Sequence, residues 1–265
     1  MSNLDIYCVT NKIIPSLEKT NYKIGWVGTG TSPSNYLNCD TGDNIFYKEK
    51  FYSELTFQYW FWKNIFDINS KKWIGFCQKR RFWINEKFID VKIDKNNFFK
   101  FTLNSISESE KNFESIICRP ISVNNVKKIK MIKRGLKSIL KNPEIFFNQK
   151  KQTVKFHFDM HHGYGNLSKA IQFIDDEDRS DFLDYVNNST LYNPHIMFIA
   201  KPKIVDRWFQ VLFKWLFDCE KVFKFDQLSG YDTQRLFAYL AERYLSFWFK
   251  KHTNYIEKPW IFVDQ

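Results

Sequence analysis

Several features that often classify a protein are missing from this sequence. No run of about 18 consecutive apolar residues is present, so we expect no membrane-spanning helix. The first residues, Met1–Asp5, lack the basic and apolar regions of a secretory signal. Glycine is scarce, with 9 residues in 265, and too few glycines follow Gly28 and Gly30 to form a dinucleotide-binding fingerprint. We therefore interpret these two glycines as a plain turn.

Cysteine is also sparse and scattered. The five cysteines are Cys8, Cys39, Cys77, Cys118 and Cys219, and no two of them form a Cys-x-x-Cys pair. An odd, dispersed set is typical of reduced thiols in the cytoplasm and argues against a zinc site. We expect a cytoplasmic protein.

Aromatic residues and positive charge are abundant. The chain has 28 Phe, 13 Tyr and 9 Trp, far more than scattered surface positions need, which indicates a globular protein. Its 265 residues suit one domain with a sizeable core. The net charge of +11 favours an anionic partner such as a nucleotide, a nucleic acid or an anionic lipid.

Much of this charge is concentrated near residues 126–142. The cations there are Lys127, Lys128, Lys130, Lys133, Arg134, Lys137 and Lys141. They are interleaved with apolar residues at helical spacing, which predicts a basic amphipathic helix interrupted only by Gly135. One interpretation is a helix that lies on the cytoplasmic membrane face with its cations at the lipid headgroups. The other is a solvated helix that packs on the core.

The N-terminal third predicts strands that alternate with a helix. Short apolar runs predict strands at Ile6–Val9, Ile24–Val27 and Ile74–Cys77. Apolar residues at helical spacing predict one helix from Phe51 to Phe66. This alternation indicates an α/β architecture.

Two adjacent arginines follow the strand Ile74–Cys77. Ligands of open α/β sheets bind beyond the carboxyl ends of the strands, where Arg80 and Arg81 would emerge. Guanidinium groups bind phosphate oxygens in pairs, so this pair would suit a diphosphate. The alternative is that one arginine pairs with Asp40, Asp43 or Glu54 and only holds the preceding loop.

A dense cluster of histidines lies within Thr153–Asn166. Apolar residues alternate from Val154 to Phe158, which predicts a strand with His157 and Asp159 on its polar side. Three interpretations stay open. Asp159 or a histidine is a general base, or His157, Asp159 and His161 bind a metal ion, or the segment is a hydrogen-bonded turn.

The segment Asp175–Asp178 contains an Asp-x-Asp pattern, by which many nucleotide-sugar transferases hold a divalent ion. It lies between two predicted helices, Leu167–Ile174 and Arg179–Val186, and acidic residues are common in the first turn of a helix. We favour helix capping.

Further elements are predicted from the same patterns. They are two short strands within Asp90–Leu103, strands at Ser115–Cys118 and His195–Ala200, and helices at Ile204–Phe223 and Asp232–Phe249. Glu242 and Arg243 lie inside the last helix, where Glu242 would act as a base, orient a hydroxyl group or form an ion pair with Arg243. We favour the ion pair.

The ordered motifs resemble domain-of-unknown-function family 4422, bacterial proteins that are similar to capsular-polysaccharide and lipopolysaccharide glycosyltransferases. The residues that carry the resemblance are Cys8–Lys12, Asp40–Ile45, Glu54–Asn64, Ile74–Phe82, Asn193–Ile199 and Arg235–Arg243. One departure is evident. Gln78 and Lys79 stand where the family pattern has His-Tyr before its arginine pair.

The resemblance implies a GT-A-like, Rossmann-related α/β fold with a mixed sheet flanked by helices and a helical C-terminal part. It implies one glycosyltransferase-like domain over residues 1–265, with a nucleotide-sugar-binding half at 1–110 and an acceptor-side half at 111–265. The activity it implies is transfer of a sugar from a nucleotide-sugar donor to a growing capsule or lipopolysaccharide chain. The alternative is a non-catalytic module that binds nucleic acid or a protein partner.

Within this assignment we hypothesise roles for individual residues. The catalytic candidates are Asp159, His161 and Glu242. The substrate-binding candidates are Thr10, Lys12, Asp40, Asp43, Asn44, Glu54, Arg80, Arg81, His157, His162 and Asn193. No residue is assigned to a metal. Mn²⁺ or Mg²⁺ stays open as a cofactor, and metal-free use of the arginine pair is favoured.

The partners expected are a nucleotide-sugar donor, with a UDP-sugar favoured, and a glycan or lipid-linked acceptor. The inner face of the cytoplasmic membrane is a further candidate, and nucleic acid is not expected as a partner.

Overall fold

The structure is a computed structural model that describes residues 3–264. Met1 and Ser2, which belong to the segment where we recognise no secretory signal, lie outside the described residues, as does Gln265.

The strands and helices follow one another in a mixed order. The strands are β1 (Leu4–Thr10), β2 (Lys23–Trp26), β3 (Leu37–Asn38), β4 (Trp73–Gln78), β5 (Arg81–Trp83), β6 (Ser115–Cys118), β7 (Ile121–Ser122), β8 (Leu191–Tyr192), β9 (Phe198–Ala200), β10 (Tyr255–Lys258) and β11 (Trp260–Phe262). The helices are α1 (Glu49–Tyr52), α2 (Leu55–Asn64), α3 (Lys128–Lys141), α4 (Glu144–Phe147), α5 (Val154–His162), α6 (Asn166–Ile171), α7 (Asp176–Asn188), α8 (Pro202–Cys219), α9 (Tyr231–Gln234) and α10 (Leu236–His252).

The chain folds into two compact units. The first unit contains residues 3–119, 195–211 and 248–264, and the second contains residues 120–194 and 212–247. Helices α8 and α10 each contribute residues to both units. The functional division at residue 110 stays a prediction.

The first unit is built on a nine-stranded sheet. Seven strands lie in the order β10-β6-β9-β4-β1-β2-β3, and β5 and β11 pair beside β4. Within this order β9 alone runs opposite to its neighbours, so the sheet is mostly parallel. Helix α2 packs on one face, where Phe57 lies so close to Gly25 that a Cβ there would be 2.5 Å from its ring. The predicted mixed α/β fold with flanking helices is confirmed.

The helix predicted from Phe51 to Phe66 is divided in two. Ser53 has a φ of +54°, a left-handed conformation that no α-helix continues through, and it separates α1 from α2. The backbone N–H and the hydroxyl of Thr56 both donate to the Ser53 carbonyl and begin the second helix. The hydrophobic spacing alone does not reveal this break.

The two strands predicted within Asp90–Leu103 are wrong. The segment holds a short 3-10 helix at Phe98–Lys100 instead. The Asn97 side chain accepts a hydrogen bond from the Asp94 N–H, and the Phe98 N–H donates to the Asp94 carbonyl. Asp and Asn side chains that bond to nearby backbone compete with strand pairing in this way.

The second unit is mainly helical. Helix α3 packs on α5 at Gly135, where an added Cβ would lie 2.8 Å from Phe156 Cε2. Helix α5 also contacts α6 and α7, and β7 pairs with β8. The predicted basic helix is confirmed as α3. Among the described residues, no helix is long and apolar enough to cross a bilayer.

The strand predicted from Val154 to Phe158 is wrong, because these residues belong to helix α5. The Thr153 hydroxyl accepts a hydrogen bond from the Phe156 N–H and caps the helix. Most side chains of α5 are buried, on more than one side of the helix. A helix buried on several sides has no narrow apolar stripe, so its sequence can mimic the alternation of a strand.

Candidate functional site

The first unit contains a basic cavity at the carboxyl ends of β1 and β4. Its volume is about 700 Å³. Five cations, Lys12, Lys19, Lys79, Arg80 and Lys95, line the cavity together with one carboxylate, Asp264. Uncharged residues complete the wall, including Ser16, Asn96 and Phe99. The net positive lining suits an anionic ligand.

Thr10 shapes the turn that brings Lys12 to the cavity. Its buried hydroxyl donates to the Lys12 carbonyl at 2.7 Å and accepts from the Lys12 N–H at 3.1 Å. Hydroxyl side chains form such turns by bonding to backbone two residues away. Thr10 is therefore buried and stabilises the backbone turn, whereas Lys12 lines the cavity.

Arg80 is the arginine of the predicted pair that lines the cavity. Its guanidinium forms an ion pair with Asp264 and lies 4.6 Å from the centre of the Phe262 ring. Arg81, the first residue of β5, is not among the lining residues that the structure describes. It donates to Gln78 Oε1 at 3.2 Å.

The departure from the family pattern affects this cavity directly. Gln78 is buried and accepts the hydrogen bond from Arg81. Lys79 lines the cavity, and its ammonium group donates to Asn11 Oδ1. The chain therefore places a cation where the family pattern has a phenol.

The acid-rich loop at Asp40–Ile45 is held by helix α2. The Asn64 side chain accepts from the Asp43 N–H at 3.1 Å and donates to the Asp43 carbonyl at 2.8 Å. The Tyr59 hydroxyl donates to the Asp43 carboxylate at 3.2 Å, and burial together with this carboxylate raises the pKa of Tyr59 to about 12. Gly42 allows the close approach, because its φ is +58°.

This loop does not pair with the arginines. Within the described part of the chain, neither Arg80 nor Arg81 forms an ion pair with Asp40, Asp43 or Glu54, so that alternative is wrong. Asp40 and Asp43 are exposed, and Glu54 precedes the first turn of α2. These three residues and Asn44 are not among the described residues that line the basic cavity. Their contact with a donor stays a prediction.

The second unit contains a separate cluster around Arg243. This arginine is 1% exposed, and its Nη1 forms an ion pair with the Glu242 carboxylate, as favoured from the sequence. Its Nη2 lies 3.2 Å from His157 Nδ1, and its guanidinium lies 3.9 Å from the centre of the Tyr192 ring. Within the described residues, Arg243 Nε is buried without a hydrogen-bond partner.

Two arginines determine which ring nitrogen carries the proton in His157 and His161. Arg243 donates to His157 Nδ1, and Arg134 donates to His161 Nδ1 at 3.0 Å. Since a guanidinium can only donate, both Nδ1 atoms accept, and the neutral rings carry their proton on Nε2. Burial and the charge of Arg243 lower the pKa of His157 to about 2. Burial and the charge of Lys130 lower the pKa of His161 to about 4.

His162 has the opposite arrangement. Its Nδ1 donates to the Asp232 carbonyl at 2.9 Å, and its ring stacks on Tyr239 with 3.7 Å between centroids. Burial, with the charge of Arg243, lowers its pKa to about 4. All three histidines of α5 are therefore neutral near pH 7.

Asp159 and Asn193 are engaged in the interior of the second unit. Asp159 has a side chain that is 2% exposed, and it accepts from Lys155 Nζ and from the Gly165 N–H. Asn193 is fully buried and accepts from the Ser246 hydroxyl at 2.7 Å. The catalytic role of Asp159 and the substrate-binding role of Asn193 stay predictions. The hydrogen bonds of both residues stabilise the fold of the second unit.

The structure does not assemble the metal site considered for His157, Asp159 and His161. His157 and His161 lie one turn apart on α5 with ring centroids 4.7 Å apart, while Asp159 binds Lys155. Residues two apart on a helix point in nearly opposite directions. No group of three or more His, Cys, Asp or Glu side chains within residues 3–264 is arranged to hold a metal ion.

The Asp-x-Asp segment begins helix α7, where the sequence analysis places it, but the favoured side-chain capping hydrogen bond is not formed. Asp176, Glu177 and Asp178 occupy its first turn. Asp178 is buried and accepts from the Tyr244 hydroxyl at 2.7 Å, whereas Asp176 is 89% exposed and pairs with Arg179. Asp175 pairs with Lys214 instead of capping the helix. These carboxylates do not converge on a common point for an ion.

The sequence analysis predicts two of the six charged residues of the basic cavity, Lys12 and Arg80, and does not predict Lys19, Lys79, Lys95 and Asp264 as site residues. Lys79 precedes the arginine pair and is noted there only as a departure from the family pattern. Lys19 and Lys95 carry no local signal that distinguishes them from other surface lysines. Asp264 follows the apolar run Trp260–Val263, which would have been a basis for predicting strand β11.

Comparisons with known proteins find a solved structure with a similar fold and a family model that matches the sequence. The apo structure of the bifunctional glycosyltransferase WbbM superposes with a TM-score of 0.66 at 18% sequence identity. The match covers 100% of this chain and 46% of the WbbM chain, so this chain spans less than half the length of that protein. At this identity the likeness shows a shared fold. No curated protein sequence matches the chain.

The family match covers the motifs from β1 to α10. The family model described as "Domain of unknown function (DUF4422)" matches residues 5–253, which is most of the chain. The protein therefore belongs to the DUF4422 family.

Proposed function

We propose that this protein is a glycosyltransferase that binds a nucleotide-sugar donor through the basic cavity of the first unit. The observation that carries the proposal is the cavity itself, which has five cations and one carboxylate at the carboxyl edge of parallel strands. Ligands of α/β sheets bind at this edge. The fold shared with the bifunctional glycosyltransferase WbbM supports the assignment.

The chemistry of sugar transfer explains the need for cations. When the bond between the sugar and the diphosphate breaks, negative charge develops on the departing nucleoside diphosphate. Fixed cations that face this charge lower the barrier because they need no reorganisation during the reaction. Arg80 would contact two phosphate oxygens through its guanidinium, and Lys12, Lys79 and Lys95 would add point charges.

We propose that these cations act without a divalent ion. Mg²⁺ and Ca²⁺ bind through several oxygen ligands. The one carboxylate that lines the cavity, among the described residues, is Asp264, and it is paired with Arg80. Comparing donor binding with and without Mn²⁺ tests this proposal.

On the acceptor side we retain Asp159, His161 and Glu242 as candidates, with a changed role for His161. Its Nδ1 accepts from Arg134, so its remaining nitrogen, Nε2, carries a proton. Among the described residues, this Nε2 is buried without a hydrogen-bond partner, so His161 would support the site and would not remove a proton from the acceptor. A glycan or lipid-linked acceptor at the inner face of the cytoplasmic membrane fits the family resemblance.

The first experiment measures binding of nucleoside diphosphates and nucleotide sugars by calorimetry and by thermal stabilisation, with and without Mn²⁺. Arg80→Gln removes the cation that is best placed for the diphosphate. Charge-assisted hydrogen bonds contribute about 1.5–3 kcal/mol, so we expect a loss of affinity of roughly 10- to 100-fold. Release of the nucleoside diphosphate from the matching sugar donor is then measured as turnover.

Arg119→Gln is the matched control. Arg119 also belongs to the first unit and forms an exposed ion pair, with Glu86, but it does not line the basic cavity. Equal nucleotide affinity in the two variants would contradict the proposal. Salt-sensitive binding of nucleic acid, with no binding of any nucleotide sugar, would instead support the binding-module alternative.

A further inference from the structure

Helix α3 exposes an apolar stripe to solvent. The stripe consists of Ile129, Ile132, Leu136 and Leu140, which are 70%, 51%, 50% and 73% exposed. At 100° per residue these four side chains fall within an arc of about 80°, and they extend for about 16 Å along the helix. Large aliphatic side chains that share one exposed stripe indicate an interaction surface.

The stripe is not the face that holds α3 on the protein. The buried residues of α3 are Met131, Gly135 and Ser138, which lie on the roughly opposite side of the helix. Gly135 allows the close approach of Phe156 and Met160 on α5. The contacts that hold α3 in the second unit are therefore made by its buried side and not by the stripe.

Positive charge borders the stripe. Helix α3 carries six cations and no acidic residue, and Lys133 and Lys137 lie next to the apolar arc. Both lysines are exposed. A helix with an aliphatic stripe beside a row of lysines is complementary to an anionic bilayer surface, where apolar side chains enter the acyl boundary and cations contact the headgroups.

We propose that α3 docks this protein on a membrane surface that contains anionic lipid. A second copy of the chain fits the surface poorly, because pairing two α3 helices would bring lysines against lysines. Nucleic acid would satisfy the lysines and leave the aliphatic stripe in water. An anionic bilayer is the partner that satisfies both features.

Vesicle co-sedimentation tests the proposal on the whole chain. Vesicles of phosphatidylcholine alone are compared with vesicles that also contain phosphatidylglycerol, at low and high salt. We expect binding to the anionic vesicles only, weakened by salt. Ile132→Gln combined with Leu136→Gln should reduce the partition coefficient about tenfold or more, since two anchors are lost. Lys133→Gln combined with Lys137→Gln should reduce binding mainly at low salt.

The control replaces two aliphatic residues of similar exposure outside the helix. Ile68→Gln combined with Ile89→Gln alters side chains that are 43% and 48% exposed in the first unit, and it should bind vesicles as the parent chain does. Thermal melting checks that each variant is folded. If Ile132→Gln combined with Leu136→Gln has a lower melting temperature than the parent chain, the single variant Ile132→Gln is used in its place.

Three outcomes would overturn the proposal. They are no binding to anionic vesicles, equal binding by the stripe variant and the parent chain, and self-association in solution that the stripe variant abolishes. Nucleotide binding is not part of this test, so its result is independent of the proposed transferase activity.

Discussion

Arg80 and Asp264 form an ion pair although 184 positions separate them in the sequence. Asp264 follows β11, which pairs with β5, and Phe262 of the same strand lies against the Arg80 guanidinium. The residues after α10 therefore hold the arginine that we propose for diphosphate binding.

Asp264→Asn should strengthen the binding of nucleoside diphosphates. The change removes the carboxylate that competes for Arg80 and raises the net charge of the cavity by one. Exposed ion pairs contribute about 0.2–1 kcal/mol, so we expect a gain in affinity of up to roughly fivefold by calorimetry, and a smaller gain at high salt. Glu86→Gln, which disrupts the control pair with Arg119, should leave the affinity unchanged. Weaker binding by Asp264→Asn would show that the carboxylate positions Arg80 for the ligand.

The histidines of α5 should make the protein less stable as the pH falls. The pKa of His161 and of His162 is lowered from 6.5 to about 4, and that of His157 to about 2. Each folded-state pKa is below the unfolded value, so the unfolded chain binds more protons and the stabilisation present above pH 6.5 is lost as the pH falls towards 4. His157 and His162, which are largely buried, each add up to about 1.4 kcal/mol per pH unit to the slope, and the more exposed His161 adds less because solvent screens it.

Urea unfolding between pH 7 and pH 5 measures this slope. His157→Gln keeps an amide oxygen for Arg243 but does not titrate, so its unfolding free energy should depend less steeply on pH. Identical slopes for the variant and the parent chain would exclude His157 as a contributor.

Gly135→Val should destabilise the second unit. A Cβ at this position would lie 2.8 Å from Phe156 Cε2 and 3.1 Å from Met160 Cγ, so the larger side chain must push α3 from α5. Overpacking of this kind costs about 1–3 kcal/mol in the free energy of unfolding. Gly30→Val is the control, because a Cβ at Gly30 meets no atom within 4 Å. Equal melting temperatures for Gly135→Val, Gly30→Val and the parent chain would contradict the close contact between α3 and α5.

The acidic segment at the start of α7 should affect stability but not the response to manganese. Tyr244→Phe removes the hydroxyl that donates to the buried Asp178 carboxylate, which should cost about 1–3 kcal/mol of unfolding free energy. Asp176→Asn, at an exposed position, should leave donor turnover unchanged with and without Mn²⁺. Loss of manganese-dependent turnover in Asp176→Asn would identify the segment as a metal site.

The parts of the fold predicted correctly are those whose pattern is local. β1, β4 and the strand Ser115–Cys118 are short apolar runs, and α3 has a regular spacing of cations and aliphatic residues. The alternation from Val154 to Phe158 wrongly predicts a strand because helix α5 is buried on more than one side, so its apolar residues do not form one stripe.

The basic cavity was predictable only in part. Lys12 and Arg80 follow apolar strands, and their position in the sequence places them at the carboxyl edge of the sheet. Lys95 and Asp264 reach the cavity through irregular segments, whose path depends on tertiary contacts and not on periodicity. The same limit applies to Arg243 and His157, which are 86 positions apart in the chain and meet through packing of the second unit.

The strand order of the first unit has a consequence for synthesis on the ribosome. β6 lies between β9 and β10, so both edges of this strand stay unpaired until residues 198–200 and 255–258 have been made. Unpaired strand edges are templates for aggregation, and contacts between distant residues form slowly. The nascent chain must therefore keep an incomplete sheet in solution while the whole second unit is translated, and during that time β6 is a segment prone to aggregation.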